Sequence, residues 1–467
     1  MNLIKRILPF LYCLLFICES CAGQEVARLR YQQETFIIDS LQEIPLKHKT
    51  WKTLDLDEIL KSTADVKSNT VLVVDSNIEV DKLELPNNIE LNFKGGSLKG
   101  QIIFNNTYLS GKVRLQGATI SGSVANDCFE AGWICHGNGK RDDAESINQI
   151  LGVCKNIYFN RGTYLLSSYH KINPELQEQF RSSVESHVGI YQDDITLTGE
   201  DGAAFLIKDT GAAICVYSRP EDIKNSTRNI FIKDLTFRVE NDGKEFHEFV
   251  HTIKMVGVNK IIVDNCKFFD YWGDAICLSH YGDSPQTGER TLNSNVSITN
   301  NYIDGDSHNN RNGISLVSAY RVQVIGNTIV ESSKGNMPGA IDIEANNKAY
   351  TTEKIVIRNN IISKCNGGVG SISIVSNNQE APAKSIVIQG NYIESSTNGI
   401  CILVESQEST GYFKVLDNTF YDCKNPMIFR GKGKSKYWVI KGNKYNKLIK
   451  PKIGGDIQVS NLKTGTQ

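Results

Sequence analysis

Seven phrases in the C-terminal half of the chain repeat one asparagine: Asn265 in DNCKFF, Asn301 in NNYI, Asn327 in GNTI, Asn360 in NNII, Asn391 in GNYI, Asn418 in DNTF and Asn443 in GNKY. Each stands two or three residues ahead of an apolar or aromatic one, and the spacings are 36, 26, 33, 31, 27 and 25 residues. Units of this length, each holding short β-type runs and turns, mark a solenoid. An asparagine recurring once per coil can stack on its neighbours and satisfy both its own amide and a sharply bent backbone, which a globular fold has no reason to repeat. Asp234 in KDLTF continues the register 31 residues before Asn265.

A second phrase follows each turn, with apolar residues at alternate positions: Ile276 and Leu278, Ile314 and Leu316, Ile341 and Ile343, Ile372 and Ile374, Ile400 and Ile402. Period two puts one face in and one face out. Stacked coils align the inward residues in columns about 4.8 Å apart, so each coil buries its core against its neighbours. A β-sandwich would not hold an asparagine at one place in every unit. The pattern predicts an all-β parallel β-helix.

At 467 residues an ordinary chain would divide into domains, whereas a solenoid grows along one axis. Few methionines (4) and prolines (10) beside 38 glycines suit many turns and few long helices. A formal net charge of −1 offers no global attraction to nucleic acid or an anionic membrane. Residues 1–23 read as a signal peptide: Lys5 and Arg6, the apolar run from Ile7 to Ile17, then small residues at Ser20, Cys21, Ala22 and Gly23. Export to the periplasm or the medium is expected. Lipidation at Cys21 ranks second, because Cys18, Glu19 and Ser20 make a poor lipoprotein box, and no later segment is apolar enough to span a bilayer. The cysteines after the leader are scattered without metal-type pairs and read as small packing residues. Only Cys128 and Cys135 are close enough in sequence to suggest a local disulfide.

Residues 24–125 form an N-terminal β-rich segment, with strands expected at Val71–Val74, Ile89–Phe93 and Ile102–Phe104 between Asn-Asn and Gly-Gly turns. The pattern then changes. Asp142 and Asp143 can cap a helix in which Ala144, Ile147, Ile150 and Leu151 make an apolar stripe, a plug for the open end of a β-helix. The main solenoid is expected over residues 126–450, with a tail at 451–467.

The stretch GNGKRDDAESINQIL followed by IYFNRGTYLLS resembles the N-terminal cap of the pectin lyase-like superfamily, in which Gly-x-Gly and Asp-Asp precede the capping helix and Pro- or Arg-Gly-Thr-Tyr follows it. The resemblance covers residues 126–450 and implies a right-handed parallel β-helix, a fold that carries lyases, hydrolases, epimerases and phage tailspikes. Gly273-Asp274-Ala275-Ile276-Cys277-Leu278-Ser279 is similar to the Gly-Asp-Asp-Ala-Ile-x-Leu-Lys-Ser coil of polygalacturonase-like glycoside hydrolases of family 28, and Asn312-Gly313-Ile314-Ser315 sits where those enzymes have Gly-His-Gly-Ile-Ser. One of the paired aspartates, the Asn-Thr-Asp motif, the histidine and the Arg-Ile-Lys clamp are absent. The resemblance therefore carries over Asp274 alone, as an acid.

Aligning the coils on their first inward isoleucine places His251, Asp274 and Asn312 two residues ahead of it, with Arg311 next to Asn312. Asp342 and Glu344 face outward from IDIE, about 6 to 7 Å apart on one strand, near the spacing of an inverting glycosidase. With Tyr271, Trp272, His280 and His308, coils 250–345 hold the densest cluster of acids, histidines and aromatics. A glycosidase needs one carboxyl to protonate the leaving oxygen, another to activate water or attack, and an aromatic face on which a sugar can rest. Asp274, Asp342 and Glu344 are the candidate catalytic set; His251, Tyr271, Trp272, His280, His308 and Arg311 are the candidate substrate-binding set. A lone aspartate at such a turn usually caps backbone N–H groups, which is the plainer reading of Asp304 and Asp306. No cofactor is expected and no spacing suggests zinc; DGDSHNN offers calcium-type oxygens at low specificity. Lys432, Lys434 and Lys436 read as an exposed basic turn.

These features rank a secreted glycoside hydrolase acting on a polysaccharide first, a polysaccharide lyase or uronate epimerase second and a non-catalytic glycan-binding solenoid third. A glycan is the expected partner, with no nucleic acid.

Overall fold

The computed structural model describes residues 41–62, 65–170, 186–218, 226–240, 243, 246–280, 292–306, 310–332, 337–344, 352–376, 383–404, 412–431, 437–445, 452–455 and 459–460. Three long parallel sheets run through them, of ten, ten and twelve strands, each gaining one strand per coil. One contains Ile253–Val256, Asp274–Leu278, Asn312–Leu316, Ile341–Glu344, Ile372–Ser376 and Asn398–Val404 as successive neighbours. The chain is thus an all-β parallel β-helix. The expected inward column is present: Ile253, Ile276, Ile314, Ile341, Ile372 and Ile400 pair in register and are fully buried. Each contributes roughly 1.5 to 3 kcal/mol by leaving water. A second column stacks Phe205, Phe237 and Phe268 at centroid spacings of 5.3 and 5.0 Å.

The asparagine ladder is continuous from Asn301 to Asn443. Nδ2 of Asn301, Asn327, Asn360, Asn391 and Asn418 each donates at 2.9 Å to Oδ1 of the next asparagine along the axis. The same Oδ1 accepts the preceding asparagine's backbone N–H at 2.9–3.0 Å. Asn265 does not belong to it. Its place is taken by Cys266, whose N–H donates to Asn301 Oδ1 at 2.9 Å. Asn265 lies one residue earlier at φ 50°, its Nδ2 donating to Asp234 Oδ1 at 2.7 Å. Asn300, Gly326, Asn359, Gly390, Asp417 and Gly442 share that left-handed column, a conformation that Asn, Asp and Gly adopt most readily.

The N-terminal segment forms a six-stranded sheet, with Thr70–Val74, Ile89–Phe93 and Ser97–Gly111 covering the expected strands. One apolar core extends from Leu56 to Ile440, so this segment and the solenoid share an interior. Helix Ala144–Val153 buries Ala144, Ile147, Ile150 and Leu151 as its stripe requires. The two aspartates ahead of it divide their work: Asp142 Oδ1 accepts the Ala144 N–H at 3.1 Å, while Asp143 accepts those of His136 and Gly137 at 2.6 and 3.0 Å. Cys128 and Cys135 are both free, one exposed and one buried, so the suggested disulfide is absent. Among the described residues no helix is long and apolar enough to cross a membrane. The leader pattern, His308 and the Lys432–Lys436 turn lie outside the described residues.

Candidate functional site

On the sheet that carries Asp274 and Asp342, the residues pointing away from the core form their own column: Cys215, Lys254, Cys277, Ser315, Asp342, Ser373 and Cys401, in register coil after coil. All are buried. Asp342 therefore faces outward as its strand parity requires, yet has no solvent exposure. Asp274 pairs with Asn312 at the upstream edge of the same sheet. Gly273 makes this edge possible, because a Cβ there would sit 2.5 and 2.6 Å from the carbonyl oxygens of Glu248 and Val250. Its absence lets residues 247–250 cross close over the strand start.

Arg311 is the hub. Its Nη1 donates to both oxygens of Asp274 at 3.3 and 3.2 Å and to Ser315 Oγ at 3.1 Å. Nη2 donates to Glu344 Oε2 at 2.8 Å and lies 3.7 Å from Asp342 Oδ2, and Nε lies 3.5 Å from Glu248 Oε1. The backbone fixes the guanidinium, since Arg311 N–H donates to Gly273 O at 2.8 Å and Asn312 N–H to Asp274 Oδ1 at 3.2 Å. Asn312, where the family-28 motif has histidine, is structural: Nδ2 donates to Ser315 Oγ at 2.9 Å and Oδ1 accepts the Gly339 N–H at 3.1 Å.

One guanidinium thus gathers Asp274, Asp342 and Glu344, and it leaves two of the acids in opposite states. Burial pushes Asp274 up, but the Arg311 charge and His251 outweigh it and hold the carboxyl down to about 2. For Asp342, burial and then the Glu344 carboxylate push up to about 8, with Arg311 and the Ser373 hydroxyl countering only in part. Asp342 is 3.7 Å from the guanidinium where Asp274 is at 3.2 Å, and the attraction divides accordingly. Asp274, expected as an acid, is held ionised. Ser373 Oγ donates to Asp342 Oδ1 at 2.6 Å, while Asp342 Oδ2 is buried with no hydrogen-bond partner.

His251 joins through Asp274, its Nδ1 3.1 Å from Oδ2 and 3.2 Å from the Asp274 amide nitrogen. Burial, stronger than the pull of Asp274, lowers its pKa. Tyr271 and Trp272 do not form a sugar platform. Tyr271 is fully buried and its hydroxyl donates to Ser332 Oγ at 2.6 Å; Trp272 is 8 % exposed and packs edge-on to His247 at 4.8 Å. Both precede the strand at the corner where the chain turns inward. His280 is half-buried beyond the far end of Asp274–Leu278. Phe249, next in sequence to Glu248, is 69 % exposed. Phe249, Glu248, Ser315 and Ser373 are not singled out by the sequence reading; the phrase FHEFVH, aromatic and acidic just ahead of His251, is the one signal that could have found the first two.

Among the described residues, two groups could offer ligands to a metal. Asp304, Asp306 and Glu331 bring one oxygen each to within 4.8 Å of one another, at the start of the expected calcium-type turn. His251, Asp274 and Cys277 do likewise, but burial holds the Cys277 thiol well up and Arg311 already balances Asp274.

No family model and no curated protein matches the chain. Among solved structures, the alginate lyase AlyF-OU02 in complex with G6 is similar at 14 % identity over 92 % of this chain and 93 % of that one, with a TM-score of 0.39. The surface adhesin PfbA of Streptococcus pneumoniae matches at 14 % identity, 72 % and 93 % coverage and a TM-score of 0.37. The A-module of the mannuronan C-5 epimerase AlgE6 of Azotobacter vinelandii matches at 14 %, 71 % and 98 %, with a TM-score of 0.31.

Proposed function

We propose that the face around Arg311 handles a glycan and that the protein is an exported glycoside hydrolase, with Asp342 as proton donor and Glu344 as the carboxylate that activates water or attacks. The observation that carries this reading is the setting of Asp342: a carboxyl pushed up to about 8, one oxygen held by Ser373 and the other buried without a hydrogen-bond partner, 3.7 Å from Arg311 Nη2. A buried polar atom without a partner is costly, and a protonated oxygen awaiting a glycosidic oxygen accounts for it. Glu344, two residues on and 20 % exposed, is the member of the set that meets solvent. Phe249 supplies the apolar face for a sugar ring at the rim.

A lyase or epimerase must neutralise a uronate with a free cation. Arg311 is already engaged by Asp274 and Glu344, which favours hydrolysis. A binding module is the second reading, favoured by the complete burial of Asp274 and Asp342. The test is product chemistry on a panel of plant, algal and host glycans. New reducing ends that disappear in Asp342→Asn and Glu344→Gln support hydrolysis; an ultraviolet-absorbing unsaturated product means elimination; retention without products means binding. Each amide should lower turnover by roughly 10² to 10⁴.

A further inference from the structure

A second recess lies away from the Arg311 cluster, where the N-terminal β-segment meets the capped end of the solenoid. This cleft of about 360 Å³ is lined by Lys99, Arg114, Gln116, His136 and Arg141, together with Asn77, and no carboxylate is among the described residues that line it. Its walls are tied together across the junction: Leu115 N–H donates to Trp133 O at 2.7 Å, and Gln116 Nε2 to Gly132 O at 2.8 Å. Arg141 Nη1 lies 3.2 Å from His136 Nε2, and His136 Nδ1 lies 3.3 Å from Asp143 Oδ1. Among the described residues neither Lys99 nor Arg114 pairs with an acid.

Three cations gathered in one recess of a chain whose net charge is −1 repel one another, and among the described residues no ion pair to a carboxylate offsets that cost. An incoming anion does. Arg114 and Arg141 present planar forks suited to the two oxygens of a carboxylate or sulfate, and Lys99 adds a point charge. Asn77 Oδ1 is occupied by the Ser97 hydroxyl at 2.8 Å, which leaves its amide N–H groups for sugar hydroxyls.

We propose that this cleft binds an anionic sugar unit, a sulfate ester or a carboxylate, of a glycan chain. The glycan backbone of the ligand rests on the function proposed above; the demand for an anion comes from the cleft itself. Electrophoresis of the folded protein in native gels containing dextran sulfate, polygalacturonate or neutral dextran tests it. Retardation by dextran sulfate alone assigns a sulfate ester, by polygalacturonate alone a carboxylate, and by both a site that reads charge; all three support the inference, provided neutral dextran does not retard. The double variant Arg114→Ser, Arg141→Ser, altered at two exposed positions, should raise the apparent dissociation constant about tenfold or more. Asp342→Asn should be retarded by each polyanion to the same extent as the wild type, whatever the outcome of the product assay, so the two proposals fail separately. Absence of retardation by either polyanion, or a double variant retarded as strongly as the wild type, overturns the inference.

Discussion

Nη1 of Arg311 lies 3.3 and 3.2 Å from the two carboxylate oxygens of Asp274, and neither side chain has more than 11 % of its surface open to solvent. Two coils are thereby joined through a buried ion pair. Removing one partner strands the other charge. Arg311→Met should therefore cost roughly 3 to 5 kcal/mol in denaturant unfolding, and adding Asp274→Asn should restore part of it.

Two buried carboxyls of the cluster contribute to the pH dependence of stability with opposite signs. Asp274, down to about 2 in the folded protein from its ordinary 3.8, contributes stability that is present above about pH 4 and lost as pH falls toward 2. Asp342, up to about 8, holds a proton that the unfolded chain has released, so its contribution falls as pH rises from about 4 to about 8 and is level beyond. Unfolding curves across that range should show Asp342→Asn losing less stability between pH 4 and 8 than the wild type. An identical slope would contradict the assignment.

Asn360 accepts from Asn327 and donates to Val324 O and Asn391 Oδ1, each at 2.9 Å. Leucine there orphans several buried groups at once and should cost roughly 3 kcal/mol, at about 1 to 3 kcal/mol for each unsatisfied group. Asn265→Ala, outside the ladder, should cost only about 1 kcal/mol. Thermal melts of the two variants separate a buried ladder from a merely recurrent turn residue.

The sequence was legible where periodicity was repeated and illegible where two columns share a chemistry. Six of the seven asparagines stack because the ladder position recurs without interruption, but the residue before it also favours Asn, Asp or Gly. In DNCK that outer residue is the only asparagine, and Cys266 behind it takes the ladder place. The alternation of IDIE gave the outward direction of Asp342 and Glu344, and the column through His251, Asp274 and Asn312 followed from alignment on isoleucine. Burial did not follow. Whether an outward residue meets water depends on what crosses over it, and nothing in Tyr271-Trp272 distinguishes a corner packed into the core from an exposed platform. Ser373 carries no signature at all and Ser315 only its place in the Gly-Ile-Ser resemblance; their register beside Asp342 gives them a role.

If Glu248 fixes Arg311 from the open side, Glu248→Gln should weaken glycan binding while leaving the fold intact, because its carboxylate is 42 % exposed and 3.5 Å from Nε. Phe249→Ala should raise KM more than it lowers kcat, since a stacking face binds ground and transition states alike. Steady-state kinetics of both variants on the cleaved glycan provide the check.

The proposed donor role requires Asp342 to carry a proton at neutral pH beside an ionised Asp274. Infrared difference spectra between wild type and Asp342→Asn, taken as a pH series, read it directly. The account predicts a protonated carboxyl band at pH 7, present only in the wild type and fading as pH rises through about 8. A spectrum in which Asp342 is already a carboxylate at pH 6 would contradict it and remove the proton donor.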